Sequence, residues 1–320
     1  DVPPSGQDAS EHAGLLLALA YPDRIAQRRG DRFLLSNGRG AVLPTPQALS
    51  TEQFIAVAEL DDQRPDSRIF LAAPLALDDL ATHFAGDIAR EEIVEWDPAS
   101  KSVIARRRER LGALVLADAP LRDPDPSRVT AALLEGIRAE GLESLPWSDA
   151  AVALRQRMEF VARLESGWPD VSDTALAATL DEWLGPHVAG LRWLEDVRRL
   201  DLADILRQLL DWRQRAQLDE LAPTHLAVPS GSRVAIDYGD PESPVLAVRL
   251  QEMFGCTETP RIARGRVPLT IHLLSPAHRP VQVTRDLAGF WRTTYFDVRK
   301  DLRGRYPKHH WPEDPLAAAP

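Results

Sequence analysis

Residues 290–315 read FWRTTYFDVRKDLRGRYPKHHWPEDP and interleave aromatic rings with basic side chains. Between Trp291 and Trp311 stand Arg292, Arg299, Lys300, Arg303, Arg305 and Lys308 against Asp297 and Asp301, a local +4 inside a chain of net charge −10. Guanidinium and ammonium groups neutralise phosphates, and planar rings stack on unpaired bases, so the chemistry this segment can do is nucleic-acid contact. Tyr306 and Trp311 lie beyond Gly304 in a proline-punctuated stretch, where a ring can stack on a base, pack on the body or meet a partner. A second basic group, Arg24, Arg28, Arg29 and Arg39, surrounds a predicted hairpin; the bland reading is a solvated face. Arg106, Arg107, Arg108 and Arg110 either extend that track or are plain surface charges. Phe33, Phe54 and Phe70 alternate with aliphatic residues and are expected in the core.

Other chemistries leave little trace. A phosphate-cradling P-loop needs Gly-Lys-Ser/Thr, and only Lys101-Ser102 supplies the last pair, with Ser100 where glycine is required. There is no HExxH zinc motif, and the serine after Gly231 lies in PSGSR, not in a nucleophile elbow. His309 and His310 are adjacent, and neighbours in a loop rarely point at one ion. Cys256, the single cysteine, reads as a small apolar side chain before it reads as a nucleophile. No catalytic and no metal-binding residue is assigned.

These residues need a scaffold. The chain has 320 residues, 44% of them hydrophobic, enough for a sizeable core in two or three domains. One cysteine permits no intramolecular disulfide and fits a cytoplasmic location. No apolar run spans a bilayer, so no membrane partner is expected. Of 38 basic residues only Lys101, Lys300 and Lys308 are lysines, and arginine suits bidentate phosphate contacts. The acidic average repels phosphate, so any binding must be local.

The expected fold is multidomain α+β. Residues 1–12 read as a polar linker, suggesting a cut from a longer polypeptide, and lead into an apolar helix. Residues 13–122 carry short strands with turn signals such as Asn37-Gly38, which suit an OB-fold-like β-barrel. LRDPDPS marks a boundary. Residues 123–222 turn helical, with Ser127 and Ser148 as N-caps, a helix through Leu176 to Leu184 stopped by Gly185-Pro186, and two more over about 187–199 and 201–219. Residues 223–320 form a mixed α/β C-terminal domain: strands at 232–238, 268–274 and 280–284, a short helix in PVLAVRLQEMFG, and a final helix from Thr284 to Gly304. On that last helix Leu287, Trp291, Tyr295, Val298 and Leu302 make an apolar stripe beside a basic ridge of Arg292, Arg299 and Arg303.

The runs GRVPLTIHLLSPAHRPVQVTRDLAGFW (265–291) and VRKDLRGRYPKHHWPEDP (298–315) resemble the C-terminal end of the bacterial HrpB-type DEAH-box ATP-dependent helicases. ALAYPDRIAQRRGDRFLLSNGRGAVL (18–43), PWSDAAVALRQRMEFVARL (146–164), LDELAPTHLAVPSGSRVAIDYGD (218–240) and VLAVRLQEMFG (245–255) are similar to the same proteins in the same order. The resemblance implies the OB-fold and terminal region of such a helicase, without the RecA-like lobes that use ATP and Mg in the intact protein. It implies no cofactor and no ATPase activity in these residues. The partners it implies are single-stranded RNA and the helicase's own upstream RecA-like domains. A protein partner, docked through the acidic helices between 170 and 220, is the alternative, and a cryptic hydrolase in the mixed domain a third reading.

Overall fold

The computed structural model describes residues 12–61 and 65–318. They divide at Ala132/Leu133 into two compact units. That division lies inside a helix, and the helical stretch and the mixed region fall in one unit.

In the first unit, helix α1 (Ala13–Ala20) precedes strands β1 (Ile25–Arg29), β2 (Arg32–Leu35), β3 (Gly40–Val42), β4 (Phe54–Leu60) and β5 (Asp66–Pro74). They close into a barrel in the order β1-β2-β3-β5-β4, with β3 and β5 parallel and the other pairs antiparallel, an OB-fold-like arrangement. Gly30-Asp31 turns β1 into β2, with Gly30 at φ +66°, where a side chain would be strained. Inside the barrel Ala26, Phe33, Leu35, Ala41, Ile55, Val57 and Ile69 pack together.

The strands after the barrel do not belong to it. Helix α2 (Leu77–His83) leads to a three-stranded antiparallel sheet of β6 (Ile88–Asp97), β7 (Ser102–Leu111) and β8 (Leu114–Pro120). A second cluster, including Ala18, Ile25, Phe54, Leu80, Phe84, Leu111 and Leu114, joins α1, α2 and this sheet to the outer side of β1 and β4. Gln27, on β1, is buried there and exchanges hydrogen bonds with the Val115 backbone at 2.6 and 3.2 Å. One side of the barrel is thereby covered. Gly14 allows α1 this close: a Cβ there would lie 1.8 Å from the Pro74 carbonyl oxygen.

Helix α3 (Pro126–Glu140) crosses the division. Asp125, not Ser127, takes the capping position, accepting from the Ser127 N–H and hydroxyl at 2.8 Å each. The second unit continues with α4 (Asp149–Leu164), capped by Ser148 as expected, and with short helices α5 (Asp173–Ala178), α6 (Leu180–Trp183), α7 (Gly185–Val188), α8 (Leu194–Val197), α9 (Leu202–Gln208) and α10 (Trp212–Leu221). Gly185-Pro186 opens α7 instead of closing a helix, because proline at the first turn forfeits no hydrogen bond.

A five-stranded sheet follows, ordered β15-β14-β11-β10-β9, from β9 (His225–Ala227), β10 (Arg233–Asp237), β11 (Val245–Arg249), β14 (Thr270–Leu274) and β15 (Pro280–Thr284); β12 (Arg261–Ile262) and β13 (Val267–Pro268) pair separately. VLAVR, expected as part of a helix, is the central strand β11, parallel to β14. The single terminal helix is two, α11 (Leu287–Arg292) and α12 (Tyr295–Arg305), interrupted at Thr293 and Thr294. Asp286, not Thr284, caps α11. Phe254, Phe290, Trp291 and Tyr295 make an aromatic core with ring centroids 4.9 to 6.2 Å apart. Among the described residues no helix is long and apolar enough to cross a membrane.

Candidate nucleic-acid interface

On the barrel, the four arginines singled out from sequence divide into two kinds. Arg24 is half-buried, donates to the Ala58 carbonyl at 2.9 Å and lies 4.7 Å from the centre of the Tyr21 ring. Arg39 donates to the Ser67 hydroxyl at 3.1 Å. Both hold the barrel together. Arg28 and Arg29, at the end of the β1–β2 hairpin, are exposed and their guanidinium groups have no partner among the described residues.

The Arg32–Asp66 ion pair at 2.8 Å ties that hairpin to the start of β5. Ser67 and Ile69 point into the barrel, so Arg68 and Phe70 point out, by the two-residue period of a strand. Phe70 is 59% exposed, against the expectation that it is core. Phe33 and Phe54 are buried as expected. Arg68 is exposed and its guanidinium has no partner among the described residues. The side of the barrel left uncovered therefore carries a ring and a cation two residues apart.

The arginines of β7 have a different fate. Arg106 and Arg108 both bind Asp118, across the sheet on β8, at 2.7 and 3.1 Å. Arg107 pairs with Glu92 at 3.3 Å and Arg110 with Glu91 at 3.9 Å. The Arg106 hydrogen bond, reinforced by Arg108, holds the Asp118 carboxyl below the usual carboxylate range. Every arginine of this run is thus ion-paired within its own sheet, four guanidinium groups to three carboxylates, in place of a free basic track.

In the second unit, Leu287, Trp291, Tyr295 and Leu302 are buried, as the apolar stripe requires. The expected ridge of Arg292, Arg299 and Arg303 is broken. Arg299 turns inward, donating to the Trp311 carbonyl at 3.0 Å and meeting Glu313 at 3.5 Å. Trp311 is 7% exposed, with its indole N–H on the Tyr306 carbonyl at 2.9 Å, so its face is not available to a base. The Tyr295 hydroxyl donates to the Pro312 carbonyl at 2.8 Å. Arg299, Trp311 and Tyr295 together clamp the terminal segment onto α12. Tyr306 is half-buried, edge-on to His309 at 6.0 Å. Arg305 pairs with Asp301 at 3.2 Å on the surface. Arg292, Lys300, Arg303 and Lys308 remain exposed, without side-chain partners among the described residues. Phe296, Lys300 and Arg303 fall at positions i, i+4 and i+7 of α12, one helical face, and Phe296 is exposed.

Arg68 and Phe296 are not among the residues singled out from the sequence, and Phe70 was expected in the core; all three are exposed. A signal existed: Arg-Ile-Phe alternation in β5 puts cation and ring on one face, and Phe296 shares the Lys300 face of its helix.

Burial pushes the Cys256 thiol up, and its sulfur donates to the Glu258 carbonyl at 3.2 Å. His309 and His310 face different rings, Tyr306 and Phe254. Among the described residues no three His, Cys, Asp or Glu side chains gather as a metal site. Lys101-Ser102 lies at the tip of the β6–β7 hairpin, not at a helix N-terminus, and does not fit a nucleotide triphosphate.

Comparison with known proteins agrees with this architecture. A family profile described as ATP-dependent helicase C-terminal matches residues 183–315, and one described as ATP-dependent RNA helicase HrpB, connector region, matches residues 87–121, which contain the three-stranded sheet. The ATP-dependent RNA helicase HrpB of Escherichia coli (strain K12) is 44% identical over 321 residues; the match covers 98% of this chain and 40% of that protein's length. The crystal structure of the E. coli DExH-box NTPase HrpB superposes with a TM-score of 0.61 at 44% identity, over 97% of this chain and 39% of that one. A second crystal structure, of the Escherichia coli DEAH/RHA helicase HrpB, gives 0.54 at 40% identity, over 93% and 38%.

Proposed function

This chain is homologous to the C-terminal region of the HrpB-type ATP-dependent RNA helicases, and from that premise we propose that it supplies single-stranded RNA contacts to a motor elsewhere in the intact protein. In that protein ATP and Mg act in the RecA-like lobes, and hydrolysis drives strand movement; the residues described above take no part in that step.

The observation that carries the reading is an exposed phenyl ring beside unpartnered cations, found once in each unit: Phe70 with Arg68 on β5, and Phe296 with Lys300 and Arg303 on α12. A ring stacks on any base, and the cations neutralise flanking phosphates, a combination that is sequence-tolerant. Arg28, Arg29, Arg292 and Lys308 add positive charge on the same elements or beside them. The acidic remainder of the chain confines binding to these faces.

Fluorescence anisotropy of the chain with a labelled single-stranded RNA across a salt series tests this. The expected log–log slope is about −0.7 per phosphate contacted. Absence of binding at low salt refutes the reading for these residues.

A second reading, a docking platform for a protein partner, draws on the helical part. Trp193 and Trp212 are 53% and 74% exposed, and Arg213 stacks on the Trp212 ring at 5.1 Å. Exposed tryptophan and arginine are the usual anchors of protein interfaces. Such docking leaves RNA affinity unchanged when Trp212 is replaced by alanine, whereas an RNA role for that ring does not.

A further inference from the structure

Helices α4, α9 and α10 border a cavity of about 420 Å³ in the second unit. Its floor is aliphatic, since Leu154, Leu210 and Leu218 line it and each is buried. Arg157, Arg207 and Arg215 stand in its wall, one guanidinium group from each helix, against Asp219 as the one carboxylate lining it. An apolar pocket with a few charged groups is the usual form of a ligand site.

The arginines are held in place and are incompletely compensated. Arg157 is nine-tenths buried; its Nε donates to the Ala222 carbonyl at 2.6 Å and one Nη to Asp219 at 2.5 Å. Asp219 is 82% exposed, so water screens the charge that a buried guanidinium group requires. The other Nη of Arg157 has no partner among the described residues and is open to solvent. Arg215 is exposed and donates its Nε to the Arg207 and Leu210 carbonyls at 3.1 and 2.9 Å. Those two bonds pin it at the end of α9, and both its Nη atoms are without a partner among the described residues. Arg207, also exposed, meets Asp204, outside the wall, through one nitrogen at 3.3 Å.

The occupant that fits brings a negative charge and apolar atoms together. The leucine floor offers no ring on which a base could stack. Residues 201–221 hold Asp201, Asp204, Asp211, Asp219 and Glu220 against three arginines, a balance that repels a run of phosphates but leaves room for one anion seated among the guanidinium groups. Trp212, Arg215 and Asp219 fall at i, i+3 and i+7 of α10, so the exposed Trp212 ring lies on the cavity's side of that helix, one turn before Arg215. Arginine clusters beside an exposed tryptophan are how protein surfaces take acidic segments.

We propose that this cavity seats a single carboxylate of a protein partner, carried on an aliphatic segment, with Arg157, Arg207 and Arg215 around the charge and the three leucines beneath the flanking side chains. This gives the docking reading a site and a chemistry, and rests on that reading for the source of the carboxylate. It does not rest on the RNA reading.

The test is a titration of the isotope-labelled chain with 4-methylpentanoate, and with its neutral amide, at constant ionic strength, following the Leu154, Leu210 and Leu218 methyl groups and the Arg157 and Arg215 Nε–H groups by NMR. Saturable shifts with the acid and none with the amide are expected. Arg215→Gln should weaken binding about tenfold through loss of a charged hydrogen bond; should that variant not fold, Arg207→Gln, a change at an exposed side chain, makes the same measurement. No saturable shift, an equal response to the amide, or equal affinity in a folded variant overturns the proposal.

Two peptides then test the source. Saturation of the same signals by acetyl-Leu-Glu-Leu-Leu-amide, and not by the twin with glutamine in place of glutamate, supports a protein carboxylate. Binding of the small acid with both peptides silent leaves a small-acid site and refutes the docked segment. Tighter binding of 5′-AMP than of the acid at the same methyl groups, or a loss of single-stranded RNA affinity in Arg215→Gln, assigns the cavity to nucleic acid and overturns the proposal in favour of the RNA reading. Silence toward every probe removes the cavity and leaves docking to be judged at Trp212 by itself.

Discussion

Strand β7 and the terminal helix α12 look alike as text, since both are short runs crowded with arginine, and they end in opposite electrostatic states. On β7 each of the four guanidinium groups meets a carboxylate on a neighbouring strand. On α12 and its flanks, four of the six cations have no partner among the described residues, namely Arg292, Lys300, Arg303 and Lys308. The cause is register. Antiparallel pairing sets Arg107 opposite Glu92 and Arg108 opposite Asp118, so neutralisation comes from residues about fifteen and ten positions away, outside any local window of charge. Within a helix the sequence-local carboxylates come from neighbouring turns, and α12 has Asp297 and Asp301, of which Asp301 takes Arg305, while Arg299 reaches Glu313 in the terminal segment. Basic sequence marks a phosphate-binding surface only after the pairing of its elements has been counted.

The comparison breaks if charge on β7 matters as much as charge on α12. Reversing Lys300 and Arg303 together to glutamate should weaken single-stranded RNA binding about a hundredfold at low salt, and reversing Arg107 should change it less than about twofold. Equal losses would mean that the ion pairs of β7 open on binding. The ring is the next largest contribution. Phe70→Ala should cost ~1–3 kcal/mol of RNA affinity while leaving the salt slope unchanged, because stacking releases no counterions. A third variant sharpens the contrast from the other side. Asp118→Asn frees Arg106 and Arg108 at once, and should raise RNA affinity about twofold and steepen the log–log salt slope by roughly 0.7 to 1.4. Anisotropy across a salt series reads all three.

How far the text of the chain reveals this depends on the range of the interactions concerned. The barrel strands were legible because alternation and the Asn37-Gly38 turn are local, as was the cap at Ser148. The stripe Leu287, Trp291, Tyr295 and Leu302 was legible for the same reason, even though Thr293 and Thr294 interrupt the helix within it. VLAVR was misread because a four-residue apolar run suits a helix or a buried strand equally, and its parallel partner lies 25 residues on, at Thr270–Leu274. Phe70 was misread because alternation says which residues share a face and not which face is covered. Coverage is decided by α1, α2 and the three-stranded sheet, which bury the β1 and β4 side and leave Phe70 outside. Trp311 failed in the opposite sense: nothing local to a proline-rich tail announces that Tyr295, Arg299 and Tyr306 will hold it.

That clamp also makes the two regions separable by pH. Burial pushes the Tyr295 phenol up to about 12, with Arg299 opposing, and the neutral hydroxyl is what donates to Pro312. A folded-state value above the ordinary tyrosine value near 10 means that the contribution is complete below about pH 10 and is lost as pH rises toward 12. Residues 88–120 contain no tyrosine, and arginine keeps its charge through this window, so the arginine ion pairs of β7 should not respond. The expected result is a rise in exposure of Trp311, read by fluorescence quenching, between pH 10 and 12 in the native chain. Tyr295→Phe should show the raised exposure already at neutral pH, with the alkaline step from this residue gone. A step of equal size in that variant would assign the transition to another phenol, of which Tyr306, whose carbonyl accepts from the Trp311 indole, is the nearest to the reporter. The terminal segment would then be held by Trp311, by Arg299 and by the Gly255 N–H on the Pro315 carbonyl.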